Sequence, residues 1–198
     1  TTARPPEKVM VMGQGVVGNL AAQIFSCCGY EVMACEPDER RREIARQAGI
    51  GTVLSSAPLE DPEVAGQVGL AIDCSGHEQA VVDALQVVKK RGEVAMIGAP
   101  WRRRSDLYAH EVLRTVFFKY LTLRSGWEWE LALHPTDFRT NSIWGNLAAA
   151  LRWLGEGKVC VDDLYTTASP RDAQQVYQDL LHNRCSKLTV EFDWKEIG

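Results

Sequence analysis

The chain has 198 residues, a formal net charge of -4 and 45% apolar residues. That length holds one well-buried core with a smaller appendage and excludes two full-sized domains. The acidic balance argues against a general nucleic-acid or membrane-surface protein, and no apolar run approaches the roughly 20 residues that span a bilayer.

Lys8 to Met12 is a short apolar run that predicts a first strand and stops at Gly13. Val16 to Cys28 repeats apolar residues at helical spacing and ends at Gly29, a residue suited to a helix C-cap. Glu31 to Cys35 predicts a second strand, and Asp38 precedes a charged helix from Glu39 to Ala48 that Gly49 closes. Gly51–Leu54 and Leu70–Asp73 read as the third and fourth strands, separated by the loop 57–62 with its two prolines. Glu78 to Lys90 predicts an amphipathic helix with Ala80, Val81, Ala84, Leu85 and Val88 on one face. Gly92–Ile97 and Tyr120–Arg124 predict strands five and six. Strands alternating with helices of this length predict βαβ units and a parallel sheet with helices on both faces.

After Trp127 the pattern changes. Ser142 to Leu154 reads as a helix ended by Gly155 and Gly157, and Leu164–Thr167 as a strand. Ser169-Pro170 opens a helix to about Leu181, with proline in its first turn, and Lys187–Asp193 alternates as a final strand. The halves also differ in composition. Residues 1–100 carry 9 Lys/Arg against 13 Asp/Glu, the remainder 13 against 13, and all six tryptophans lie at or after Trp101.

The six cysteines form no CxxC pair and do not cluster with His77, His110, His134 or His182, so no zinc-ligand spacing is present. Cys35 and Cys74 sit in apolar strand-like runs and read as small buried hydrophobes of a reducing compartment, which makes the expected location cytoplasmic. The adjacent Cys27-Cys28 reads as packing at a helix end. The opening Thr1 to Lys8 has neither an initiator Met nor a signal-peptide apolar region, so further chain is expected to precede it.

The chemistry starts at Gly13-Gln-Gly15-Val-Val-Gly18, directly after a strand and at the opening of a helix. A strand–GxGxxG–helix unit is how a Rossmann fold binds a dinucleotide. Gly13 permits the tight turn, Gly15 lets the backbone approach a pyrophosphate, and Gly18 lets helix and strand pack closely. The anion then faces the free N–H groups at the helix start. Glu36, 18 residues after Gly18, ends the second strand. A carboxylate there accepts both ribose hydroxyls of adenosine and repels a 2′-phosphate, favouring NAD over NADP. The run Arg40-Arg41-Arg42 opposes that preference. Arg40 and Arg42 read as a solvated helix face, while Arg41 is open between solvation and the ribose. Asp73-Cys-Ser-Gly76 and Ile97-Gly-Ala-Pro100 end the fourth and fifth strands, where a doubly wound sheet binds its ligand, and are candidates for the adenine and nicotinamide pockets.

Three other features have plainer readings. His77 caps its helix or lines the pocket, and Tyr108-Ala-His110 reads as surface helix. Trp101-Arg-Arg-Arg104 reads as a solvated turn, and Trp127-Glu-Trp129 as a sheet edge or subunit contact, with a substrate platform as the alternative.

The ordered set of the Gly13–Gly18 turn, Glu36-Pro-Asp-Glu-Arg-Arg41, Asp73-Cys-Ser-Gly76, Gly92 through Pro100 and the tail from Leu164 through Lys187-Leu-Thr-Val-Glu-Phe192 resembles the medium-chain dehydrogenase/reductase superfamily of zinc-type alcohol, polyol and threonine dehydrogenases. The resemblance implies that Gly13, Gly15, Val16, Val17 and Gly18 hold the pyrophosphate, and Glu36 and Arg41 the adenosine ribose. It also implies that Cys74, Ser75 and Gly76 touch adenosine and that Ile97, Gly98 and Ala99 touch the nicotinamide side. Lys187 matches a basic position near the pyrophosphate, with an edge-strand solubility charge as the alternative. Such enzymes begin with a GroES-like domain that supplies the zinc ligands, and nothing in residues 1–12 matches the last of them.

The expected architecture is therefore α/β: a six-stranded, doubly wound Rossmann domain over 6–133, a linking helix region over 134–157, and a C-terminal α+β piece of an incomplete catalytic domain over 158–198. The expected function is the NAD-binding part of an oxidoreductase acting on a small alcohol or carbonyl, inactive as this chain alone. Its catalytic residues are unassigned and any zinc is held elsewhere in the parent enzyme. A homodimer through the sheet edge is expected, without nucleic acid or membrane. A non-catalytic NAD-binding sensor or partner subunit remains open, as does an S-adenosylmethionine-dependent methyltransferase.

Overall fold

The structure, a computed structural model, describes residues 1–126, 130–139 and 141–197. In chain order the first unit runs β1 (Lys8–Met12), α1 (Val16–Cys27), β2 (Glu31–Cys35), α2 (Glu39–Gln47), β3 (Thr52–Leu54), β4 (Val68–Asp73), α3 (Glu78–Val87), β5 (Val88–Met96), α4 (Ala109–Lys119) and β6 (Thr122–Ser125). All strand pairs are parallel, in the order β3-β2-β1-β4-β5-β6.

Alternation along β1 explains the two layers. Val9 and Val11 join Ala34, Leu70, Ile72 and the α1 and α2 residues Ala22 and Ala45 on one face. Met10 and Met12 join Met33, Ala71, Val94 and the α3 residues Ala84 and Leu85 on the other, with Val112 and Val116 of α4 packed against them. Every residue of β4 is buried, as expected of a strand covered on both sides. The strand order reverses between β1 and β4, which leaves a crevice beyond their carboxyl ends.

The chain continues through α5 (Ile143–Gly155), capped by the Ser142 hydroxyl on the Gly145 N–H. It then forms β7 (Tyr165–Ala168), a 3₁₀ turn at Pro170–Asp172, α6 (Ala173–Leu181) and β8 (Thr189–Phe192). β7 and β8 pair in parallel as a separate two-stranded sheet. Asn19, Gln23 and Cys27 stand one helical turn apart on α1, and the last two hold the segment that leads into this unit. Gln23 Nε2 donates to the Cys160 carbonyl at 2.9 Å, while its Oε1 accepts from the Cys160 N–H at 2.7 Å. The Cys27 thiol reaches the Lys158 carbonyl at 3.2 Å. Gln23→Ala strands both Cys160 backbone groups and is expected to lower unfolding stability by about 1–3 kcal/mol. Urea denaturation checks this, and a loss below about 0.5 kcal/mol would show that water replaces the clamp at no cost.

Several sequence expectations are corrected. The helix expected to reach Lys90 stops at Val87, because Val87 and Val88 are both fully buried and the chain passes straight into β5. Between Val68↔Val88 and Leu70↔Glu93, β4 advances two residues while β5 advances five, so the start of β5 bulges, with Arg91 at φ 63. The surface helix expected at Tyr108-Ala-His110 is the first turn of α4, whose extent to Lys119 has no counterpart in the sequence expectation. The sixth strand begins two residues later than expected, since Tyr120 takes a left-handed conformation (φ 54) to end α4. Cys27 and Cys28 are exposed, not packed, because α1 presents its last turn to solvent. The Trp127-Glu-Trp129 reading lies outside the described residues.

Candidate functional site

β1 ends beneath the crevice, and the glycine turn begins there. Gly13 takes φ +88, and its N–H donates to the Cys35 carbonyl at 2.7 Å, which turns the chain towards the end of β2. Gly15 forms the N-cap of α1 and has no side chain to satisfy the helix's free N–H groups; no acidic residue stands in the first turn. The α1 start is therefore an open, electropositive end. A Cβ at Gly18 would lie 1.9 Å from the Gly13 carbonyl oxygen, so only glycine lets α1 leave β1 at this angle.

Glu36 is 4% exposed, and neighbouring backbone holds its carboxylate. Oε2 accepts from the Gln14 N–H at 2.7 Å, inside the glycine turn itself, and Oε1 accepts from the Asp38 N–H at 3.1 Å. Asp38 caps α2 by accepting from the Arg41 N–H at 3.1 Å, which brings the Arg41 guanidinium to 3.9 Å from Glu36. Arg42, expected to be solvated, instead donates to the Glu36 and Pro37 carbonyls, each at 2.7 Å, and pairs with Glu39. It braces the β2–α2 turn from behind.

At the end of β4, Asp73 is 1% exposed and folds the following turn onto itself. Its Oδ1 accepts from the Ser75 N–H at 2.9 Å and the Ser75 hydroxyl at 2.6 Å, and its Oδ2 from the Gly76 N–H at 3.2 Å. The Asp73 carbonyl receives the Ile97 and Gly98 N–H groups, both at 2.8 Å, which fastens the end of β5 beside it. A Cβ at Gly98 would meet the Gly76 nitrogen at 2.3 Å, so these two turns can interlock only without side chains there. His77 caps α3, its Nδ1 accepting from the Gln79 N–H at 3.2 Å, and also lines the adjoining cavity.

That cavity measures about 460 Å³. Gly13, Gly15, Glu36, Arg41, Cys74 and Ser75 line it, so the structure brings six of the sequence-predicted site residues together. Ser55, Ser56 and Ala57 after β3 complete the wall, with Gln79, Ala80 and Asp83 of α3 and Arg104. No sequence pattern marks these as site residues, and Arg104, expected in a solvated turn, is exposed and borders the cavity. The one sequence signal for the α3 wall was the i, i+4 pair Gln79–Asp83, whose side chains bond at 2.8 Å.

The other predicted residues lie elsewhere. Gly76 and Gly98 line a second, apolar cavity of about 200 Å³ with Val81, Met96, Val112 and Leu123. Lys187 lines a cleft of about 60 Å³ with Arg40 and Arg41 and pairs with Asp163 at 2.7 Å, ahead of β8 and not on the strand. Arg41 borders both this cleft and the large cavity. Val16, Val17, Gly18, Ile97 and Ala99 line none of these three, and Val17 and Ile97 are exposed.

Burial, then the charge of Asp83, pushes the Cys35 thiol up to about 12; burial, then Asp73, does the same to Cys74. Both stay protonated at neutral pH and present soft, uncharged surface to the site rather than nucleophiles. Among the described residues no three His, Cys, Asp or Glu side chains group to hold a metal ion.

Residues 16–140 match the profile of a family described as zinc-binding dehydrogenase. Glucose 1-dehydrogenase from Metallosphaera sedula is 32% identical over 110 residues, covering 54% of this chain and 29% of that protein. Benzyl alcohol dehydrogenase from Acinetobacter calcoaceticus superposes with a TM-score of 0.75 at 18% identity, over 97% of this chain and 51% of that one. Acetophenone reductase from Geotrichum candidum, solved in complex with NAD, superposes with a TM-score of 0.72 at 19% identity, over 98% and 51%. The chain thus spans about half the length of these solved structures, which establish the fold. The six-stranded parallel sheet is their Rossmann-like domain, and the profile match reaches across more than half of the sequence. The chain belongs to the zinc-binding dehydrogenases, in the medium-chain dehydrogenase/reductase superfamily.

Proposed function

We propose that this chain is the NAD(H)-binding part of an oxidoreductase that moves a hydride between NAD(H) and a small alcohol or carbonyl. By itself it binds the dinucleotide without turning over substrate. The observation that carries this reading is Glu36: a buried carboxylate fixed by the N–H of the glycine turn, on the wall of a cavity that the same turn borders. The ribose hydroxyls bind Glu36, with Arg41 beside it. The pyrophosphate lies over Gly13 to Gly18 at the open end of α1, and the adenosine lies against Cys74, Ser75 and Gly76. The nicotinamide side meets Ile97 to Ala99, and Lys187 sits towards the pyrophosphate.

Bound NAD supplies the hydride-accepting ring; the residues of this chain bind, orient and desolvate it. Activation of the alcohol, by zinc in a zinc-dependent parent, falls to residues outside this chain. Residues 6–133 form the cofactor domain, 134–157 the link, and 158–198 part of the catalytic domain. A homodimer forms through the β6 edge of the sheet, and the protein works in the cytoplasm. No helix among the described residues is long and apolar enough to cross a membrane.

Titration with NADH and, separately, with S-adenosylmethionine tests the ligand class. NADH is expected to bind and S-adenosylmethionine not to bind. The opposite result would return the site to a methyltransferase, whose glycine turn has Gly where this chain has Val17. A Cys…His-Glu pattern ahead of Thr1 would mark the catalytic half of a dehydrogenase and rule out a non-catalytic NAD sensor.

A further inference from the structure

Glu36 is one of two carboxylates on the wall of the large cavity, and the proposal above uses only that one. The second is Asp83, which α3 contributes to the lining together with Ala80. Helix α3 packs on the same sheet face as Cys35, the residue just before Glu36, so Asp83 and the end of β2 border one cavity. The orientation of Asp83 is set, because Oδ1 accepts from the Gln79 side-chain amide at 2.8 Å. Ala57 and Ala80 give the cavity small apolar surface, room for a flat ring.

A dinucleotide whose ribose rests on Glu36 and whose pyrophosphate rests on the glycine turn directs its base towards Ala57, Ala80 and Asp83. An adenine linked through N9 has one conventional hydrogen-bond donor, the 6-amino group, while its N1, N3 and N7 only accept. A carboxylate only accepts. We propose that Asp83, held by Gln79, accepts a hydrogen bond from the adenine 6-amino group and makes this site selective for adenine over hypoxanthine dinucleotides. The inference rests on the dinucleotide reading above. In the hypoxanthine analogue a keto oxygen replaces the amino group and the N–H of that edge moves to N1, so a carboxylate held at the 6-position by Gln79 faces an acceptor and loses its bond. Charge-assisted bonds of this kind are about twice as strong as neutral ones.

The test compares NADH with reduced nicotinamide hypoxanthine dinucleotide on the full chain, by calorimetry or by fluorescence of the reduced ring. NADH is expected to bind about tenfold more tightly or better. In Asp83→Asn the carboxamide can turn either an oxygen or an NH₂ to the base, so the ratio is expected to fall to near one. Equal binding of the two ligands to the unmodified chain overturns the proposal whether or not the variant folds. A preference that survives in a folded Asp83→Asn overturns it as well. Failure of both ligands to bind sinks the dinucleotide reading itself, and this inference with it, a result distinct from equal binding.

Discussion

Gly18→Ala is expected to lower unfolding stability by about 3 kcal/mol and to abolish NADH binding. The new Cβ would sit 1.9 Å from the Gly13 carbonyl oxygen and 2.9 Å from its carbon. These are backbone atoms, and Gly13 is itself tied to the Cys35 carbonyl at 2.7 Å. No rotamer change relieves the clash, so α1 must move off β1 and the turn must open. Gly15→Ala is the contrasting change. A Cβ there meets nothing within 4 Å, and φ is an ordinary -68°. That variant is expected to keep its stability and still lose NADH affinity, because the methyl group occupies the space the pyrophosphate needs. Urea denaturation and NADH titration of the pair separate packing from ligand approach. A stable Gly15→Ala that binds NADH normally would remove the pyrophosphate from this turn.

Glu36→Ala should produce two separable effects. The first is structural: the Gln14 and Asp38 N–H groups lose their acceptor, at a cost of about 1–3 kcal/mol. The second is a change in cofactor preference. Without the carboxylate the ribose hydroxyls lose their acceptor, while Arg41, now 3.9 Å from Glu36, becomes free to meet a 2′-phosphate. NADH binding is expected to weaken more than NADPH binding, shifting their ratio by about tenfold or more. Because lost stability lowers both affinities together, the ratio of dissociation constants isolates the ribose contact. An unchanged ratio in a folded variant would show that Glu36 is only a brace for the glycine turn.

The apolar run, the three glycines and the carboxylate that ends the next strand were legible because each acts over a few residues. β1, the turn and α1 therefore sit where the spacing put them, and Glu36 ends on the cavity wall. The rest of the wall was not legible. Ser55, Asp83 and Arg104 come from three separate segments and share a cavity only after β3, α3 and the loop beyond β5 are assembled. The extent of α4 beyond His110 was hidden for a related reason: Leu113, Phe117 and Phe118 are largely exposed, so its apolar residues do not mark a single core-facing stripe.

Arg42 and Gln23 show the same limit in polar residues. In sequence Arg42 is one of three consecutive arginines, and nothing local shows that its guanidinium reaches back to two carbonyls. Gln23 lies in an otherwise ordinary helix, and its partner is Cys160, 137 residues away. The 198 residues thus carried the parallel α/β class, the glycine turn and the family within local patterns, where hydrophobic period and glycine sterics suffice. Tertiary packing alone decided which polar side chains face the cavity, which arginine braces and which borders the site, and how the C-terminal unit is fastened. Those outcomes depend on hydrogen bonds and burial between segments distant in the chain, which no local period encodes.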